Sequence, residues 1–215
     1  MKLLRALLDL LYPSKCPFCG RILERGEDGM CAVCQQALPW TEGAGKAVEG
    51  CDECLSPLYY RDGVRDGMHR YKFGGGMGHA RLFGQLMAQC LADRWVGTVD
   101  LITYVPLRPE RKKRRGYDQA ELLARRVGEL SGVPVMSTLE KARATDVQSQ
   151  LQEEAARRAN VAGAYCALPG VELAGRRVVL VDDVVTTGST LSECAVCLRS
   201  AGAAVVVGLT LARAR

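Results

Sequence analysis

Leu3, Leu4, Leu7, Leu8 and Leu11 recur at the spacing of one helix face, which predicts a short amphipathic helix over residues 1–12, stopped by Pro13. From residue 14 to 58 that periodicity fades, and Gly, Pro and Cys dominate. Helical spacing returns after residue 61 and predicts helices over Val64–Phe73 and Ala80–Val96, separated by the glycine loop Gly74–Gly78. Beyond them, short apolar runs predict strands at Leu101–Leu107, Val133–Met136, Gly163–Leu168, Arg176–Asp183 and Ala203–Ala212. Helices are expected between these runs at Asp118–Leu130, Leu151–Asn160 and Ser189–Ala201. Nearly unbroken Val/Leu strands alternating with helices imply an α/β domain whose mostly parallel sheet carries helices on both faces. We therefore divide the chain into a cysteine-rich segment, residues 1–58, and an α/β domain, residues 59–215. Ligands of such sheets bind beyond the carboxyl ends of the strands.

Composition narrows the class. The 215 residues are 48% hydrophobic and 25% charged, values that exclude a disordered or collagen-like chain. No apolar run approaches the ~18 residues of a membrane helix. Arg5 and Asp9 interrupt the leucine-rich start and no small-residue cleavage site follows, so the chain is expected in the cytoplasm. The net charge of +5 is unevenly spread, because Arg108, Arg111, Lys112, Lys113, Arg114 and Arg115 crowd one loop after an expected strand. Such a run suits an anionic partner, either a pyrophosphate or the phosphates of a nucleic acid. Ten cysteines in a cytosolic chain argue for metal binding before disulfides.

The densest chemistry lies in VVLVDDVVTTGST, residues Val178 to Thr190. Four apolar residues make a buried strand, and Asp182 and Asp183 follow where that strand leaves the sheet. Two adjacent carboxylates there need donors or a metal. Thr186, Thr187, Gly188, Ser189 and Thr190 then open a helix with four hydroxyls and one glycine, a loop suited to a phosphate.

Cys16-x-x-Cys19 and Cys31-x-x-Cys34 are two knuckles, and Cys51-x-x-Cys54 is a third pair. Two knuckles complete a tetrahedral thiolate site for a structural zinc, and four thiolates leave no position open for substrate. The tetrad expected is Cys16, Cys19, Cys31 and Cys34, while a tetrad drawing on Cys51 and Cys54 stays open. Cys194 and Cys197 repeat the CxxC spacing inside an amphipathic helix, where they are expected as core residues, as are Cys90 and Cys166.

VVLVDDVVTTGST resembles the phosphoribosyl-pyrophosphate signature of type I phosphoribosyltransferases. With LLDLLYPSKCPFCGR, MCAVCQQALPW, CDECL, HRYKFGGGMGHARLFGQLM and YVPLRPERKKRRGYDQAELLARR, the chain resembles the ComF family, associated with competence and DNA uptake. The resemblance implies a zinc ribbon ahead of a type I phosphoribosyltransferase fold. It implies that Asp182 and Asp183 hold the ribose hydroxyls and that Thr186, Thr187, Gly188, Ser189 and Thr190 hold the 5-phosphate. Lys72, Arg108 and Arg115 would face the pyrophosphate, which arrives with Mg²⁺. Two departures stand out: TEGAGKAVEG replaces a further cysteine pair, and Asp118 stands where the family has Asn. Two readings remain, a phosphoribosyl transfer to an unassigned acceptor, and a non-catalytic sensor of phosphoribosyl pyrophosphate that engages single-stranded DNA and DNA-uptake proteins.

Overall fold

A computed structural model describes residues 13–74, 77–141 and 163–215. The expected helices over 1–12 and Leu151–Asn160, and Gly75 and Gly76 of the glycine loop, lie outside the described residues. In chain order the elements are α1 (Ala32–Ala37), β1 (Glu53–Leu55), β2 (Leu58–Tyr59), α2 (Asp62–Phe73), α3 (His79–Arg94) and β3 (Leu101–Tyr104). They continue with α4 (Pro109–Arg115), α5 (Gln119–Ser131), β4 (Leu139–Lys141), β5 (Tyr165–Ala167), β6 (Arg177–Val185), α6 (Ser189–Ser200) and β7 (Val205–Arg213).

The main sheet is parallel, in the order β1-β7-β6-β3, with β2 paired to β7 beyond β1. Its two central strands, β6 and β7, are almost wholly apolar because both faces are covered. Val179 and Val181 of β6 pack with Leu123 and Val127 of α5 and with Phe83 and Met87 of α3 on one face. Val178 and Leu180 turn to the other face, against Leu191, Cys194 and Leu198 of α6. Alternation along one strand thus sorts neighbouring residues into two cores.

Two strands of the main sheet, and β4 outside it, went unseen in the sequence. β1 comes from the cysteine-rich segment and β2 straddles its end, so that segment lends its last residues to the sheet. Gly208, the partner of Cys54, lets β1 close on β7, since a Cβ there would meet the Cys54 Sγ at 3.0 Å. Asp52 fixes the same edge through Oδ2, which accepts from the Val206 amide at 2.8 Å and from Arg199.

Several expectations are corrected. Val133–Met136 forms one bridge, Val135 to Ile102, because Pro134 offers no N–H to a ladder. The strand expected to reach Leu107 ends at Tyr104, ahead of Pro106. The run expected over Gly163–Leu168 is only Tyr165–Ala167, and it leaves the main sheet to pair antiparallel with β4. Cys90 and Cys194 are buried as expected, but Cys166 sits on that small hairpin and is partly open to solvent. The basic run, expected as a loop, is helix α4: Pro109 and Glu110 sit in its first turn, four cations sit in its last, and Gly116 closes it at φ +82°.

The cysteine knuckles dock on α2 and α3. Arg70 donates through Nε to the Pro17 carbonyl at 3.1 Å and through Nη2 to that of Phe18. The Phe18 ring rests 5.5 Å from that of Phe83.

Candidate functional site

β6 ends in the two carboxylates, and each meets a different environment. Asp183 lies against α2, where Lys72 Nζ is 2.8 Å from Oδ2 and 3.0 Å from Oδ1. Burial pulls the Lys72 ammonium down, and the charge and hydrogen bond of Asp183 more than offset this, leaving its pKa raised. Among the described residues Asp182 has no cation in salt-bridge range. Desolvation first, and the Asp183 charge second, push its carboxyl up to about 8, although its Oδ1 accepts the Asp183 amide at 2.8 Å. The two neighbouring acids therefore differ: Asp183 is paired with a lysine, while Asp182 resists ionisation.

Immediately after β6, Thr186 and Thr187 are exposed, Gly188 takes φ +88°, and α6 starts at Ser189 with no side chain capping it. The Thr187 and Ser189 hydroxyls lie 2.8 Å apart, and Ser189 N–H points to Thr187 Oγ1 at 3.4 Å. The amides at this helix start stay open to an anion, with Asp182 and residues 184–191 lining a small hollow.

Across from it lies a cleft of about 230 Å³, lined by Lys72, Arg108, Arg111, Arg115, Lys141, Tyr165, both aspartates and Thr190 among others. α4 sorts the basic run by helical period. Arg108, Arg111 and Arg115 reach the cleft, Lys112 pairs with Glu121 at 2.9 Å, and Lys113 and Arg114 are exposed. Arg115 Nη1 donates to Gln119 Oε1 at 2.7 Å, while Arg115 Nε and Gln119 Nε2 are buried donors with no acceptor among the described residues. Buried donors without partners at a cationic cleft suit an anionic ligand. Asp118 is accounted for: it caps α5 through Oδ1 and holds the Leu107 amide through Oδ2 at 2.8 Å, fixing both ends of the segment that carries α4.

The structure thus gathers Lys72, Arg108, Arg115, Asp182, Asp183 and Thr190 into one cleft, with Thr186, Thr187, Gly188 and Ser189 at its rim. Sequence reasoning missed Lys141 and Tyr165, which bond at 2.8 Å across β4 and β5. Burial, then the charges of Arg108 and Arg111, lower the Lys141 pKa. Nothing in the pattern marked Lys141, because its three-residue strand has no alternation to read. It also missed Lys46, whose Nζ reaches the Thr186 carbonyl at 2.5 Å.

The metal site is separate. The Sγ atoms of Cys16, Cys19, Cys31 and Cys34 all lie within 4.8 Å of one another, with Cys19 and Cys31 3.7 Å apart. Zinc held by thiolates at about 2.3 Å in a tetrahedron sets its sulfurs about 3.8 Å apart, so the four residues fit that ion. The Cys34 amide, donating to Cys31 Sγ, is foremost in lowering the Cys31 thiol to about 6. Cys51 and Cys54 lie elsewhere, beside β7, where burial raises both thiols, to about 11 and about 12.

A parallel α/β sheet ending in an acid pair and an open hydroxyl loop, preceded by a four-cysteine knuckle pair, defines a type I phosphoribosyltransferase fold with an N-terminal zinc ribbon. Family models agree: "Phosphoribosyl transferase domain" matches residues 113–215 and "Double zinc ribbon domain" residues 7–65. The DNA utilization protein YhgH of Salmonella typhi is 32% identical over 92% of this chain and 96% of its own length. Competence protein F of Haemophilus influenzae is 29% identical over 93% of this chain and 97% of its own. Competence protein ComFC of Bacillus subtilis is 26% identical over 97% of this chain and 82% of its own. The chain belongs to the ComF family.

Among the described residues no helix is long and apolar enough to cross a membrane.

Proposed function

We propose that the protein binds phosphoribosyl pyrophosphate as its Mg²⁺ complex and transfers the phosphoribosyl group to an acceptor in the utilisation of incoming DNA. The observation that carries this reading is the set of groups along one cleft. Asp182 lines the hollow at the open helix start and also the adjoining cleft, where Asp183, Lys72, Arg108, Arg111 and Arg115 lie. Those groups answer a 5-phosphate, ribose hydroxyls and a pyrophosphate. Displacement at the anomeric carbon then depends on positioning and on cations that stabilise the departing pyrophosphate. No side-chain nucleophile is required. Lys72 already pairs with Asp183, and the Mg²⁺ would arrive with the substrate. The names of the relatives, which speak of competence and DNA utilisation, supply the setting. Ten unpaired cysteines fit a reducing compartment, the cytoplasm.

Calorimetric titration with phosphoribosyl pyrophosphate and Mg²⁺ tests the reading. Saturable binding is expected, and it should vanish when Asp182→Asn is combined with Asp183→Asn. A parent chain that fails to bind would refute the proposal. Pyrophosphate release across candidate acceptors separates turnover from sensing.

The second reading, a sensor that engages single-stranded DNA, is favoured by one observation. Lys113 and Arg114 are exposed on the outer side of α4, and neither has a carboxylate in salt-bridge range among the described residues. They can meet a phosphate backbone while the cleft below them is filled.

A further inference from the structure

The segment from Thr41 to Gly50 belongs to the cysteine-rich part of the chain, yet it lies against the phosphate loop. Arg94 ties down its start, donating through Nη1 to Thr41 Oγ1 at 2.8 Å and through Nη2 to the Thr41 carbonyl at 2.5 Å. Arg213, at the end of β7, donates to the Ala44 carbonyl at 2.9 Å and the Glu42 carbonyl at 3.3 Å. Lys46 N–H then bonds the Cys54 carbonyl at 2.8 Å, and the Gly45 amide reaches Glu53 Oε1 at 3.2 Å. These bonds deliver two side chains to the loop. Val48 is buried beside Gly188, whose absent Cβ would lie 3.1 Å from Val48 Cγ2. Lys46 extends over Thr186 and donates to its carbonyl.

A carbonyl oxygen free to turn into a phosphate site would repel the anion. Lys46 occupies that oxygen and adds a positive charge, with no carboxylate in salt-bridge range among the described residues. We propose that Lys46 is a positioning residue for the phosphate monoester subsite: it pins the first residue of the loop so that the amides and hydroxyls after it face the ligand. The cysteine-rich segment is then a working wall of the sugar-phosphate site. This inference rests on the reading of the cleft as a ribose-phosphate site and names a determinant of that site.

The effect should be confined to one end of the cleft. Full-length protein is titrated separately with ribose 5-phosphate and with inorganic pyrophosphate, the latter meeting Arg108, Arg111 and Arg115. Lys46→Met, which keeps length and removes charge and donor, should weaken ribose 5-phosphate about tenfold, as loss of a charged hydrogen bond does. Pyrophosphate affinity should stay within about twofold of the parent, a separation that general loosening of the fold does not produce. Lys46→Arg should restore most of the ribose 5-phosphate affinity. Equal loss for both probes, or no loss for either, overturns the role of Lys46 and leaves the cleft assignment standing. A parent chain that binds pyrophosphate but not ribose 5-phosphate overturns both.

Discussion

Lys72 and Asp183, 111 residues apart in sequence, meet in a two-contact ion pair at the point where α2 passes the end of β6. Both are mostly shielded, with side-chain exposures of 25% and 14%. Removing the lysine leaves a desolvated carboxylate. Lys72→Met is therefore expected to lower unfolding stability by roughly 1 to 2 kcal/mol. Adding Asp183→Asn should recover much of that loss, since the unpaired charge goes with it. Urea denaturation of the two single variants and the double variant checks this, and additive losses would show the pair to be uncoupled.

Asp182 gives a pH signature. Its folded carboxyl is pushed up to about 8, against an unfolded value near ~3.9. Between those limits the folded chain holds a proton that the unfolded chain has released. The corresponding stability is complete below about pH 4 and falls as pH rises toward about 8. Asp182→Asn removes this dependence, so its melting temperature should gain on that of the parent across the window and run parallel above it. Binding of a ribose through ionised Asp182 should also release a proton at neutral pH, which calorimetry in buffers of different ionisation enthalpy detects.

α4 makes the basic run two surfaces instead of one. Arg111→Ala with Arg115→Ala should weaken pyrophosphate at least about tenfold, since each removes a charged contact to the cleft. Lys113→Ala with Arg114→Ala should leave that affinity unchanged. The second pair should instead flatten the salt dependence of single-stranded DNA binding, each lost phosphate contact reducing the slope by about 0.7. Equal effects of the two pairs on pyrophosphate would contradict the division.

Elemental analysis should find one zinc for each four-cysteine cluster, lost in Cys16→Ser or Cys31→Ser and kept in Cys51→Ser and Cys54→Ser. Chelation should loosen the docked knuckle first, because Phe18 and the carbonyls gripped by Arg70 are positioned by that cluster.

Long, uniform signals were legible in the sequence. β6, β7 and α6 lie within a residue or two of their expected bounds, because valine runs and a helix start carry local information. The acid pair and the hydroxyl loop were legible for the same reason. What stayed hidden depended on distant partners. β1 and β2 are three and two residues long and exist only because β7 offers an edge. Lys141 and Lys46 reach the site through a short hairpin and an irregular segment, neither of which has a period. The basic run misled because six cations within eight residues hide the helical sorting that its proline, glutamate and glycine impose. Cys166 followed the two-fold alternation of a strand, but that strand faces solvent on one side.

The bond between Asp52 and Val206 joins residues 154 positions apart, and among the described residues β1 pairs with β7 alone. During synthesis the cysteine knuckles can close on their metal as soon as Cys34 has emerged. The strand that follows them must wait for nearly the whole domain before its partner exists. Until then the early segment carries buried-type residues such as Cys54, Leu55 and Leu58 without the strand they lie against. A stalled or truncated chain lacking β7 would present that segment to other molecules, which makes completion of the last strand the event that protects the first.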